Sequence, residues 1–321
     1  MVKTVFFGTP AFAVPTLERL LASPHDVAGV VTQPDRPRGR GQRMSPSPVK
    51  AVALANGLSL FQPERMKDPN FVGALDGLKP DIGVVAAYGR LLPDRLLELP
   101  RLGMINVHAS LLPKYRGAAP IHRAVMAGER ESGITIIKLV SEMDAGPMLR
   151  WEALPIAPDD TSASLEPRLA ELGAELLVTT IDTLEAGRMI EHEQDTNQVT
   201  FAPRLTHDDG QIDWTRTALE IHNQVRGLHP WPHAFGYLDG VRYLLLLTRV
   251  VEDQAPNSGN APPVVGQILE AAKDRLIVAA GQQTALALLE LQPEARRPLA
   301  TRPFLAGHRL APGAIFRPTS S

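Results

Sequence analysis

The chain of 321 residues contains no cysteine, which excludes a disulfide framework and any thiolate metal site and fits a cytoplasmic location. No apolar run approaches the roughly 20 residues that a membrane helix requires, so a soluble protein is expected. The start, Met1 to Gly8, has too short an apolar stretch for a signal-peptide core and reads as a first strand. Net charge is only -2, so no global basic field for nucleic acid exists and any such contact has to come from a local patch. Three common chemical motifs are also missing. Gly8-Thr-Pro-Ala11 follows a strand but lacks the G-x-G-x-x-G of dinucleotide binding, no Gly-Lys-Ser/Thr loop occurs, and no Gly-x-Ser-x-Gly esterase elbow occurs. His229 and His233 are four apart, yet Pro230-Trp-Pro232 between them forbids the helix that would align them on an ion, and no metal is expected. There is no internal repeat.

What is present is an alternation of strands and helices. Val2 to Phe7 is a β-branched and aromatic run, and Phe12 to Leu21 spaces its apolar residues as an amphipathic helix does. Val27 to Val31, Ile82 to Ala86 and Met104 to His108 read as further strands, with helices over Pro48 to Ala55 and Asn70 to Leu78. Ile134 to Val140 is another strand, and Ser162 to Ala186 a long helix. The rhythm predicts an α/β, Rossmann-like, mostly parallel sheet wrapped by helices, with ligands at the carboxyl ends of the strands. Residues 189–206 are polar and without period, and read as a linker. Beyond them a helix at Thr215 to Arg226 precedes short apolar runs at 243–251, 264–269, 276–280 and 286–291, the pattern of a small C-terminal β-barrel of OB-like type. The predicted organisation is thus a catalytic domain over 1–188 and a barrel over 207–321.

Candidate chemistry concentrates in Met104 to Ile121. Asn106 and His108 project from one face at the end of a strand, pairing an amide donor with an imidazole that titrates near neutral pH. An amide can donate to a carbonyl oxygen as it becomes an oxyanion, and an imidazole can stabilise that oxygen or move a proton. Asp144, at the tip of Glu142-Met-Asp-Ala-Gly146, supplies a third group able to orient the imidazole or take the proton of an attacking amine. Together they suit acyl transfer between nitrogens. Each residue alone has an ordinary explanation, since strand-end Asn and His cap turns and Asp before Ala-Gly is a turn residue; the combination outweighs these.

Phe7-Gly-Thr-Pro10, Asn106-Val-His108, Ser110-Leu-Leu-Pro-Lys-Tyr-Arg-Gly-Ala-Ala-Pro-Ile121 and Met143-Asp-Ala-Gly-Pro147 resemble the 10-formyltetrahydrofolate-dependent formyltransferases. Thr32-Gln-Pro-Asp-Arg-Pro37, Gly39-Arg-Gly41, Ile212-Asp-Trp214, Pro230-Trp-Pro232 and Leu289-Glu-Leu-Gln-Pro293 extend the likeness over nearly the whole chain. The resemblance implies catalytic roles for Asn106, His108 and Asp144, with tetrahydrofolate contacts at Ser110, Leu111, Leu112 and Pro113 and a pterin pocket lined by Ala86 to Gly89. It also implies direct attack on the formyl carbon of 10-formyltetrahydrofolate by the α-amine of methionine esterified to initiator tRNA, without a membrane or an obligatory protein partner. The loop from Pro34 to Pro48 carries Arg36, Arg38, Arg40 and Arg43, with Lys50 just beyond, against the single acid Asp35. That excess suits phosphate contact, and the resemblance makes Arg40 the arginine that meets the tRNA acceptor stem. Two departures affect tRNA contact and not chemistry: Ala202-Pro-Arg-Leu-Thr-His207 and Ala295-Arg-Arg297 stand where the family is richer in lysine. Rivals to this expectation are a formyltransferase acting on a nucleotide-linked amino sugar or ribotide amine, and an inactive RNA-binding relative.

Overall fold

Ile82–Ala86 is buried at every position, as a strand covered on both faces must be. It is central to a seven-stranded sheet seen in a computed structural model of the protein, which describes residues 1–38, 43–251, 263–317 and 319. Arg40 and residues 252–262, which include a run rich in Pro and Asn, lie outside the described residues. The chain forms two units. One comprises Met1–Pro120, Glu131–Pro155 and Glu166–Pro203, the other Ile121–Arg130, Ile156–Leu165 and Arg204–Ser321.

In the first unit the strands run in the order Met148–Pro155, Glu131–Lys138, Met104–His108, Ile82–Ala86, Lys3–Gly8, Asp26–Val31 and Leu60–Phe61. The last five are mutually parallel. From Lys3–Gly8 the chain adds strands on one side and then returns to add Ile82–Ala86 on the other. The direction of winding therefore reverses between Gly8 and Ala86, which are register partners, and the carboxyl ends of strands at such a reversal are where wound sheets take their ligands. Helices form where their caps allow: Ser47 accepts from Lys50 N ahead of Pro48–Ala55, and Asp68 accepts from Asn70 N ahead of Pro69–Gly77. Phe7, Val31, Phe71, Val85, Tyr88 and Met104 belong to one buried cluster on this sheet.

The sheet departs from a uniform winding after His108. Glu131–Lys138 pairs antiparallel with Met104–His108, placing Thr135 opposite His108 and Lys138 opposite Ile105. The chain thus re-enters the sheet from the end at which it left, and residues 109–120 stay at the carboxyl edge instead of crossing back. Met148–Pro155, not expected from the sequence, continues the antiparallel edge.

The second unit is built on a six-stranded antiparallel sheet, with Ala234–Leu238, Val241–Val250, Ala285–Pro293, Arg275–Ala279 and Ile268–Ala272 in that order and Leu299–Ala300 paired beside Ala285–Pro293. Its two edges are joined by the chain near Ile315. Tyr237 and Arg317 exchange main-chain hydrogen bonds at 2.8 and 2.7 Å, while Ile268 N donates to Ala314 O at 2.7 Å and Phe316 N to Gly266 O at 2.8 Å. That closure makes the expected barrel. Helix Ala218–Gly227, started by a capping box between Thr217 and Glu220, packs on Val241–Val250.

Candidate active site

Asn106 and His108 share a face because they are two apart on a strand, and both stand at its carboxyl end. His108 is 4% exposed and Asp144 9%, whereas Asn106 is half-buried. The structure brings all three together. Asn106 Nδ2 donates to Asp144 Oδ1 at 3.4 Å, and His108 Nδ1 lies 3.6 Å from Asp144 Oδ2. Gly117 N donates to that same Oδ2 at 2.9 Å, so the carboxylate meets a main-chain donor as well as two side chains. Among the described residues the Asn106 amide has no side-chain partner other than Asp144.

The imidazole is held from its other side. His108 Nε2 is 3.1 Å from the carbonyl oxygen of Tyr115, which can only accept, so Nε2 carries a proton. Nδ1 is then the nitrogen left to exchange one. The sequence suggested that Asp144 could orient the ring; Asp144 lies against Nδ1, and the opposite nitrogen meets the carbonyl of Tyr115, a main-chain atom that no side-chain pattern reveals.

Two left-handed positions shape the surrounding loops. Asp144 has φ 50° and Tyr115 φ 64°, conformations that a non-glycine residue keeps only where its surroundings hold it. A Cβ at Gly146 would overlap the carbonyl oxygen of Lys138, so the Asp144 turn lies pressed against the end of its own strand. Ser110, 1% exposed, donates from Oγ to Lys114 O at 2.7 Å. Its carbonyl accepts from Thr135 Oγ1 at 2.7 Å, and Thr135 in turn accepts from Leu112 N at 3.1 Å. The Ser110 to Pro113 loop is therefore tied to the strand facing His108.

Past the end of the Ile82–Ala86 strand, Tyr88 packs edge-on against Phe7 and points its hydroxyl at Met66 Sδ, 3.1 Å away. Burial pushes this phenol up to about 12, only partly offset by Arg90, so it stays neutral. The Tyr88 carbonyl accepts from Thr9 Oγ1 at 3.2 Å and Gln33 Nε2 at 2.8 Å, joining three strand-end loops. At the base of the basic loop Lys50 Nζ meets Asp35 Oδ2 at 2.5 Å, and this bond, followed by that from Gln62, lowers the Asp35 pKa. The excess charge there accordingly rests on the arginines. Gln194, in the segment read as a linker, is buried and bonded to the Asp144 turn, and nothing in its polar surroundings singled it out.

The formyl transferase family profile matches residues 2–181, and the profile of the formyl transferase C-terminal domain matches residues 204–309. A methionyl-tRNA formyltransferase of Caldanaerobacter subterraneus is 46% identical, the match covering 98% of this chain and 100% of that protein. One of Methylococcus capsulatus is 46% identical over 96% of this chain and 98% of its own length. Among solved structures the sugar 3N-formyl transferase WlaRD, obtained in the presence of dTDP and 5-N-formyl-THF, superposes with a TM-score of 0.67 at 17% identity, covering 92% of this chain and 99% of that one. On these matches, the chain belongs to the formyl transferase family, in the methionyl-tRNA formyltransferase branch.

Proposed function

We propose that the protein transfers the formyl group of 10-formyltetrahydrofolate to the α-amine of methionine esterified to initiator tRNA. The observation that carries this is the meeting of Asn106, His108 and Asp144 at the carboxyl end of one strand, in a chain whose relatives of that name match it almost end to end. Sugar formyltransferases share the fold at 17% identity, which says nothing of the acceptor.

The donor set fits a formyl group. Asn106 offers an amide N–H, the natural partner of a carbonyl oxygen gaining charge, and such a donor contributes most when that charge is greatest. The folate supplies a carbonyl carbon activated for attack. His108, fixed by Tyr115 and set beside Asp144, presents Nδ1 to take the proton that the attacking amine sheds as the new C–N bond forms, and the proton balance closes when N10 of tetrahydrofolate takes one up as its bond to the formyl carbon breaks. The Ser110 to Pro113 loop, braced by Thr135, is assigned to tetrahydrofolate, with Ala86 to Gly89 beside the pterin. Arg40 is assigned to the acceptor stem, residues 1–188 to chemistry, 189–206 to the connection, and 207–321 to further tRNA contact. No helix among the described residues is long and apolar enough to cross a membrane, and a cytoplasmic translation enzyme with no obligatory protein partner is the corresponding reading.

Incubating the protein with 10-formyltetrahydrofolate and methionyl initiator tRNA, then weighing the released amino acid by mass spectrometry, tests this. Formylmethionine is expected. Unmodified methionine, with formyl transfer instead to a nucleotide-linked amino sugar, would move the protein to the other acceptor class.

A further inference from the structure

Gln194 lies between helix Ser162–Glu185 and Pro203, in a run of polar residues, yet only 8% of it is exposed. Every hydrogen-bonding group of its amide is engaged. Nε2 donates to the carbonyl oxygens of Asp144 and Gly146, both at 2.8 Å, and Oε1 accepts from Arg116 Nε and Nη2 at 3.0 and 2.8 Å. Arg116 is itself 6% exposed, and its Nη1 lies 3.5 Å from Glu142 Oε1. Gln194 and Arg116 thus bridge the 142–146 turn to the loop that carries Tyr115 and Gly117. Those two residues supply the main-chain partners of His108 Nε2 and Asp144 Oδ2.

The chain after Gln194 reinforces this. Tyr115 N donates to Thr200 Oγ1 and Arg116 N to Thr200 O, each at 2.9 Å, and Ala119 N to Ala202 O at 3.1 Å. Phe201–Ala202 pairs parallel with Arg116–Gly117 so closely that a Cβ at Gly117 would stand 2.7 Å from the Ala202 oxygen. Residues 194–202 form a strap along the loop. A neutral amide is the group suited to its head, because it alone can donate to two carbonyls while accepting from a guanidinium. The Asp144 turn, left-handed at a non-glycine residue, needs such restraint.

We propose that Gln194 is a positioning residue for formyl transfer, an inference that rests on the function proposed above. Gln194 fixes the main chain at Asp144 and Gly146, and through Arg116 it is linked to Glu142 on the other side, so that the carboxylate stays within reach of Asn106 and His108 Nδ1. Gln194→Glu keeps the shape and the Arg116 acceptor but turns oxygen lone pairs toward two carbonyls. Its kcat is expected to fall roughly 10- to 100-fold with KM for both substrates within about 2-fold, because displacement of a catalytic group acts on the reacting geometry. In an Asp144→Asn background the same change is expected to add less than about 2-fold, since both act through one group. Unchanged kcat, equal fold-losses in the two backgrounds, or raised KM with kcat kept would each overturn the proposal. Should Gln194→Glu fail to fold by circular dichroism, Gln194→Met carries the same cycle, and failure of both variants to fold overturns it in favour of a purely stabilising role. A wild type inactive on methionyl-tRNA removes the functional reading, whereas an active wild type with an insensitive variant removes only the role of Gln194.

Discussion

The proton on His108 Nε2 is committed to the Tyr115 carbonyl, and this commitment decides what the imidazole can do. With Nε2 so engaged, Nδ1 faces Asp144 Oδ2 at 3.6 Å and needs no rotation of the ring to exchange a proton. His108→Ala is therefore expected to reduce turnover roughly 100-fold or more while folate binding persists; unchanged turnover would remove His108 from the chemistry. At Gly146 the requirement is steric. Gly146→Ala would drive a methyl group into the Lys138 carbonyl and displace the Asp144 turn, so catalysis is expected to be lost with secondary structure retained, as kinetics and circular dichroism of one preparation would reveal. Asn106, His108 and Asp144 were legible in the sequence because an amide, an imidazole and a carboxylate are side-chain types suited to acyl transfer. The Tyr115 carbonyl, the Gly117 N–H and the Thr135 hydroxyl were not, because two are main-chain groups and the third is a threonine on a strand, where threonine is commonplace.

At the scale of elements, legibility followed burial. Ile82–Ala86 matches its expected bounds because a strand covered on both faces is apolar throughout, and Met104–His108 matches because its apolar and polar residues alternate with the period of a strand. Met148–Pro155 escaped notice since it is an edge strand with Trp151, Glu152 and Ala153 exposed, leaving little alternation to read. The strand Ala234–Leu238 was also missed, although its hairpin with Val241–Val250 turns at Asp239-Gly240, where φ is 50° and 76° in the two-residue turn that such a dipeptide favours. Helix Ala218–Gly227 depends on its first turn, where Thr217 accepts from Glu220 N and the Glu220 carboxylate accepts from Thr217 N and Oγ1. Thr217→Ala is expected to cost about 1 kcal/mol of stability, measured by urea unfolding, and no change would deny the cap its role. For the basic loop the expected signature is electrostatic. Arg40→Ala should weaken discrimination among tRNAs and flatten the salt dependence of kcat/KM with little effect on folate affinity; untouched tRNA kinetics would make the loop merely solvated.

The molecule as a whole carries almost no net charge, and its response to pH is traced to particular groups. His122, His222 and His233 all have lowered pKa values, chiefly because burial disfavours the charged ring. Below about pH 6.5 the unfolded chain binds protons that the folded one refuses, so stability is full above that value and declines until the folded-state values are passed. Asp81, Asp213 and Glu220, lowered mainly by hydrogen bonds, add a second loss only in the carboxylate range, where Glu166, raised by burial, acts in the opposite sense. Replacing the three histidines by glutamine is expected to flatten the thermal stability profile between about pH 7 and pH 5; an unaltered slope would place the titrating groups elsewhere. The alternating strands and helices announced a wound sheet, and the barrel followed from short runs between turn-formers. Its closure by residues 314–317 depends on main-chain pairing at the far end of the chain, which composition does not encode. The most direct measurement of the central claim is single-turnover formylation of methionyl initiator tRNA by the wild type and by Asp144→Asn. Formylmethionine is predicted from the wild type, and a rate at least about 100-fold lower from the variant, with folate still bound. Equal rates, or no formylmethionine from the wild type, would contradict it.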